Sequence, residues 1–156
     1  MNWDAISAIG EMIGAAAVFV SIIYLSIQIR ANTRATQGSA SYDAAHSWAQ
    51  TNEQMYQLPD ETLADLGRWM QGDAPEAFSG VARGRCEICF RSIYQKLEGQ
   101  YFLYKYGLLD ADLWEARRAI ARGMIQTANA RAWWERETQA GALSAQFIQA
   151  IEGAES

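Results

Sequence analysis

The chain has 156 residues, half of them hydrophobic and 12% aromatic, with a formal net charge of −5 and a pI near 4.9. This acidic balance, with no cluster of Lys and Arg to neutralise phosphates, argues against nucleic acid as a partner. Length allows one apolar segment plus about 120 further residues, enough for one small helical domain with a modest core.

The first element is the apolar stretch over residues 5–29, in which Glu11 is the one ionised side chain. About 25 residues at 1.5 Å each cross a hydrocarbon core of roughly 30 Å, so the stretch reads as a transmembrane helix. Trp3 and Tyr24 suit interfacial anchoring at its two edges. Arg30 and Arg34 follow the span, whereas Asp4 and no basic residue precede it. The positive flank marks the cytoplasmic side, which implies an inner (cytoplasmic) membrane protein with its N-terminus outside and its C-terminal domain cytoplasmic. A cleaved signal peptide would need a basic leading region and an uncharged core, and both are missing. The buried core helix of a soluble protein is the other reading of this stretch, and Glu11 is what keeps it open.

Small residues recur along the span. Ser7, Gly10, Gly14, Ala17 and Ser21 follow alternating spacings of three and four, and Gly10 with Gly14 forms a GxxxG. Such a stripe lets a second helix approach closely. Ile13, Phe19, Val20, Ile22, Ile23 and Ile27 fall mainly elsewhere, as lipid-facing positions would. Glu11 neighbours the stripe about two turns inside Trp3, roughly 12 Å along the axis. A carboxylate in a bilayer faces a bundle interior, a pore or a partner, or lies shallow enough for water to reach it.

The remaining elements are predicted from apolar periodicity and from caps. A helical extension over residues 31–57 has no breaker stronger than Gly38 separating it from the span, so the two read as one continuous helix ending at Leu58-Pro59-Asp60. A short helix over 61–70 takes Asp60 as its N-cap. Residues 81–106 carry Cys86, Cys89, Phe90, Ile93, Leu97, Tyr101 and Tyr104 at helical spacing and form the expected central helix, with Gly107 at its C-terminal end. Asp110 caps a helix over 111–126 with Leu113, Trp114, Ile120, Met124 and Ile125 turned inward. A further helix carries Trp133 and Trp134, and a last one begins at Ser144. Strand-like alternation is absent. The expected fold is therefore all-α: a transmembrane helix over 1–30, a helical extension over 31–57 and a cytoplasmic helical-bundle domain over 58–156.

These residues also carry a likeness. Trp3-Asp4-Ala5-Ile6, Gly10-Glu11, Gly14, Val18, Ser21, Tyr24-Leu25, Gln28-Ile29-Arg30 and Asn32-Thr33 resemble the start of a widespread group of uncharacterised small bacterial membrane proteins. Glu98, Tyr101, the 107–110 turn, Trp114, Arg131, Trp133-Trp134 and Phe147 extend the resemblance over most of the chain. It implies a single-span, mostly helical protein and brings no activity with it. Ala128-Asn129 stands where similar sequences often have Pro-Gly.

No catalytic constellation emerges. Cys86 and Cys89 form a CxxC inside a helical pattern without a surrounding βαβ unit, so they read as core cysteines. With His46 as the single histidine, the two thiols leave a zinc site one ligand short. His46 itself lacks a nucleophile signature nearby and reads as a surface or partly packed residue. Residues 80–84, Gly-Val-Ala-Arg-Gly, lack the Lys and the preceding strand of a phosphate loop and read as a helix start. Arg131, Trp133 and Trp134 are a docking or a packing cluster, with packing the simpler role. Glu98, beside the apolar stripe of the central helix, would need a partner if buried, and Arg131 or Arg91 is in reach by pattern.

The function expected is a membrane-anchored assembly or accessory module without enzyme activity, cofactor or metal. Its partners are the lipid bilayer and either copies of itself, as a homo-oligomer, or a larger membrane protein complex. The alternatives are a homo-oligomeric ion-conducting pore lined by Glu11, and a membrane-tethered enzyme or ligand sensor.

Overall fold

Every regular element among the described residues is helical, and the fold is all-α. A computed structural model describes residues 3–153. The side chains of Asp4, Ala5 and Ile6, which the sequence places at the outer end of the apolar stretch, lie outside the described residues, as do residues 1–2 and 154–156.

Helix α1 (Trp3–Tyr56) runs for 54 residues, joining the predicted span and extension without a break. It contains no proline, and Gly38 costs a helix interior only about 1 kcal/mol. Within the apolar part its hydroxyls are satisfied locally: Ser21 donates to the Ala17 carbonyl and Ser26 to the Ile22 carbonyl, each at 2.8 Å. Tyr24 accepts a hydrogen bond from Gln28 Nε2 at 2.8 Å.

The chain divides into two units between Ser39 and Ala40. This places the end of α1 with the bundle, eighteen residues before the boundary expected at 58. Ala44 is buried in the core, Trp48 and Met55 pack against it, and the Ala44 carbonyl accepts from Gln100 Nε2 at 3.2 Å. The last part of the helical extension read over 31–57 thus contributes to the core.

The second unit continues with α2 (Asp60–Gln71), a 3₁₀ turn (Pro75–Ala77), α3 (Gly80–Lys105), α4 (Ala111–Met124), α5 (Ala128–Gln139) and α6 (Ala145–Glu152). Helix α3 packs on α2 and α4, α6 packs on α4, and α5 packs on α2. Three predicted caps are present. Asp110 Oδ1 accepts the Asp112 and Leu113 amides at 2.9 and 3.3 Å, and Ser144 Oγ accepts the Phe147 amide at 3.4 Å. Gly107, at φ +70°, turns the chain after α3 so that the Leu108 amide returns to the Leu103 carbonyl at 2.8 Å.

The start of α2 differs from expectation, whereas α3 begins where residues 80–84 read as a helix start. At α2 it is Pro59 that occupies the cap position, its carbonyl accepting the Leu63 amide at 3.1 Å, while Asp60 and Glu61 sit in the first turn where their charge opposes the helix dipole. At α3, Ser79 supplies the cap, its Oγ accepting the Ala82 amide at 3.1 Å.

The core is aromatic. Phe90, Tyr94 and Leu97 on α3 meet Trp133 and Trp134 on α5, Trp114 on α4 and Phe147 on α6, all buried. Burying such a side chain stabilises by about 1.5–3 kcal/mol, and the ring pairs add geometric preference. Ile120, expected to turn inward, is 40% exposed, and the neighbouring Ala121 is fully buried instead. Tyr94 of α3 donates to the Ala121 carbonyl at 2.6 Å, so α3 approaches α4 over this small side chain.

Candidate functional site

The sequence singles out two places, one in each unit. In the first, every side chain from residue 7 to residue 39 is exposed. That includes Ser7, Gly10, Glu11, Gly14, Ala17 and Ser21, and also the apolar bulk around them, with Ile13, Phe19 and Val20 between 65 and 70% exposed. A Cβ placed on Gly10 or Gly14 would meet nothing within 4 Å. The stripe is therefore a bare surface whose backbone is open to approach. Among the described residues, one helix is long and apolar enough to cross a membrane, and it is α1.

In the second unit, Trp133 and Trp134 are core residues. Trp133 lies 5.5 Å from Phe90 and 5.2 Å from Tyr94 between ring centroids, and Trp134 lies 5.1 Å from Tyr94. Trp134 Nε1 donates to Glu152 Oε1 at 2.7 Å. Arg131 stays at the surface, 3.3 Å from Glu135 and 3.8 Å from Glu152. The three residues do not make a docking notch: the indoles face inward, and Arg131 is held by carboxylates on α5 and α6.

The partners of Glu98 and Arg91 also differ from the pairing that the pattern suggested. Glu98 Oε1 accepts the Ser144 amide at 2.7 Å. Arg91 makes a two-pronged contact with Glu137, at 3.0 Å from Nε and 2.6 Å from the terminal nitrogen. That contact holds the Arg91 guanidinium more firmly protonated than usual.

Cys86 is buried and Cys89 half-buried, and both are free. Burial pushes the Cys86 thiol up to about 11, with Asp65 adding to the effect, and it raises Cys89 as well. Burial thus favours the protonated form of both thiols. His46 is exposed, stacked 5.9 Å from Tyr42. Among the described residues, no group of three His, Cys, Asp or Glu side chains is placed to hold a metal ion.

Sequence reasoning passed over a third place. A cavity of about 360 Å³ lies between α2, the 3₁₀ turn, α3 and α5, lined by Trp69, Pro75, Arg83, Glu87, Asn129 and Arg136. Arg83, dismissed with the 80–84 glycines as part of a helix start, donates to the Pro75 carbonyl at 2.7 Å. Arg136 pairs with Glu87 across the α3–α5 gap. Asn129 Nδ2 donates to the Asp73 carbonyl at 2.6 Å and ties the loop after α2 to α5. The one available signal was that eleven of the thirteen basic residues are Arg, the side chain suited to paired, planar contacts.

An apolar cavity of about 220 Å³ lies on the other side of α2, between Trp48 and Met55 of α1, Leu66 and Met70 of α2, Phe90 and Ile93 of α3 and Met124 of α4. Comparison with family models, curated proteins and solved structures gives no match.

Proposed function

We propose that this chain is a membrane-anchored helical assembly or accessory module, not an enzyme. The apolar part of α1 crosses the inner membrane with its N-terminus outside, and the bundle lies in the cytoplasm as a docking domain. One observation carries the reading: from residue 7 to residue 39 the helix buries no side chain, although large apolar residues dominate its first two-thirds. Exposed apolar surface on this scale is costly in water and favourable in lipid. The intrahelical bonds of Ser21, Ser26 and Tyr24 fit the same setting, since polar groups in hydrocarbon need partners within the helix.

Helix association in lipid depends on close backbone packing, and Gly10 and Gly14 leave that approach open. We assign the contact to a second copy of the chain or to a larger membrane complex through Ser7, Gly10, Gly14, Ala17 and Ser21, with Glu11 at its edge. The test is native mass spectrometry of the whole protein in mild detergent beside Gly14→Leu. A discrete oligomer that the substitution dissociates by about tenfold or more supports a seam on this stripe. An oligomer unchanged by Gly14→Leu removes the stripe from the interface.

A pore lined by Glu11 is the second reading, favoured by the position of this one carboxylate in an otherwise uncharged segment. It requires that Glu11→Gln change cation conductance of the reconstituted oligomer. A wild-type protein silent in bilayers ends it.

A further inference from the structure

The cavity beside Trp69 is lined by hydrogen-bond donors in excess of acceptors. Trp69 is 3% exposed, and its indole Nε1, a donor with no acceptor capacity, has no partner among the described residues. Arg83 Nε is likewise buried and unpartnered, while the far end of the same guanidinium donates to the Pro75 carbonyl. Arg136 contributes a second guanidinium, of which one nitrogen is taken by Glu87. A buried donor left unsatisfied is costly, and more so when it is charged. Both donors belong to residues that line the cavity, and an acceptor-only group carrying negative charge is what would complement them.

We propose that this cavity binds a phosphate group, held by the Arg83 and Arg136 guanidiniums with the Trp69 indole as a neutral third donor. Two guanidiniums against the single Glu87 carboxylate leave the lining net positive in a chain whose net charge is −5. Arginine forks bind oxyanions through paired N–H bonds. A phosphate presents three terminal oxygens to donors that come from three separate elements, α2, α3 and α5, whereas a carboxylate presents two. The volume of about 360 Å³ exceeds that of the bare ion, so the group enters as part of a small phosphomonoester or as a lipid headgroup. The site is independent of the small-residue stripe and of the membrane reading.

The test uses the whole chain, ¹⁵N-labelled at tryptophan, in uncharged detergent micelles and phosphate-free buffer. Trp69→Phe assigns the Trp69 indole N–H among the six tryptophans. Titration with glycerol phosphate, with micelles doped with phosphatidic acid, and with acetate then distinguishes the sources. A saturable shift of the Trp69 resonance with glycerol phosphate, weakened about tenfold or more in Arg83→Gln and in Arg136→Gln, supports a soluble phosphomonoester. A shift seen with phosphatidic acid only, and weakened by the same substitutions, supports a headgroup.

The five other indole resonances report whether each variant keeps its fold. Arg131→Gln, outside the cavity, leaves the affinity unchanged. The proposal is overturned by the absence of a saturable shift with either phosphate probe, by equal affinity for acetate, or by unchanged affinity in folded Arg83→Gln protein.

Discussion

The carboxylate of Glu137 is 9% exposed and is gripped by an Arg91 side chain that is 51% exposed. The two ends of this pair therefore face different losses when the contact is broken. Arg91→Ala strands the Glu137 charge in a site that water hardly reaches, and we expect it to be the more destabilising of the two changes. Glu137→Gln frees a guanidinium that solvent can rehydrate, and it retains one hydrogen bond, so the expected cost is below about 1 kcal/mol. Urea denaturation of both variants measures the difference, and equal losses would refute the asymmetry. Arg91 stands out in the sequence only as a partner for Glu98, and Glu137 does not stand out at all. Glu137 lies 46 positions from Arg91, and only the packing of α3 against α5 turns two ordinary charged residues into a buried contact.

At the scale of elements, α6 has eight residues, too few to be stable alone. Other helices supply its ends. Glu98 on α3 accepts the Ser144 amide at the start, while at the finish Arg118 Nε donates to the Ala150 carbonyl at 2.7 Å and Arg122 Nε to the Ile151 carbonyl at 2.6 Å. Cations at a helix C-terminus also oppose its dipole. Glu98→Ala should accordingly cost about 1–2 kcal/mol and speed hydrogen exchange at Ser144 and Phe147, whereas Glu98→Gln keeps the acceptor and should change little. Exchange at these amides that is the same in Glu98→Ala as in the parent would show that the contact is dispensable. Ser144 was legible as a cap from its place before an apolar run. The carboxylate that completes it was not, because Glu98 precedes it by 46 positions and belongs to another helix.

At the scale of the whole molecule, the boundary between Ser39 and Ala40 is what matters for dissecting the protein. A fragment of residues 40–156 keeps Ala44, Trp48, Thr51 and Met55, and with them the Lys96 contact to Thr51 at 2.6 Å. We expect it to unfold cooperatively without detergent. A fragment of residues 58–156 uncovers Phe90, Ile93 and Leu66 along the wall that α1 had closed, and should lose several kcal/mol or fail to fold. Thermal unfolding of the two fragments decides the point, and equal stability would return the boundary to residue 58. Ala44, Trp48 and Met55 become core positions because α3 and α4 present aromatic and apolar side chains to them.

Local interactions explain which features the sequence alone determined. Helical spacing, caps at Asp110 and Ser144, the glycine turn at Gly107 and the uninterrupted run through Gly38 depend on neighbours within a few positions, so an all-α chain with a long apolar first helix was readable from one end to the other. The small-residue stripe is of the same kind, being a property of one helix. Tertiary structure decided everything that depends on distant residues meeting: Trp133 and Trp134 facing the core, Ala121 buried in place of Ile120, Glu98 on α6 and Arg91 on Glu137. It also brought Trp69, Arg83 and Arg136 around one cavity. Those three come from separate helices, and a side chain's hydrogen-bond partners become defined only when the helices pack and exclude the water that would otherwise satisfy them.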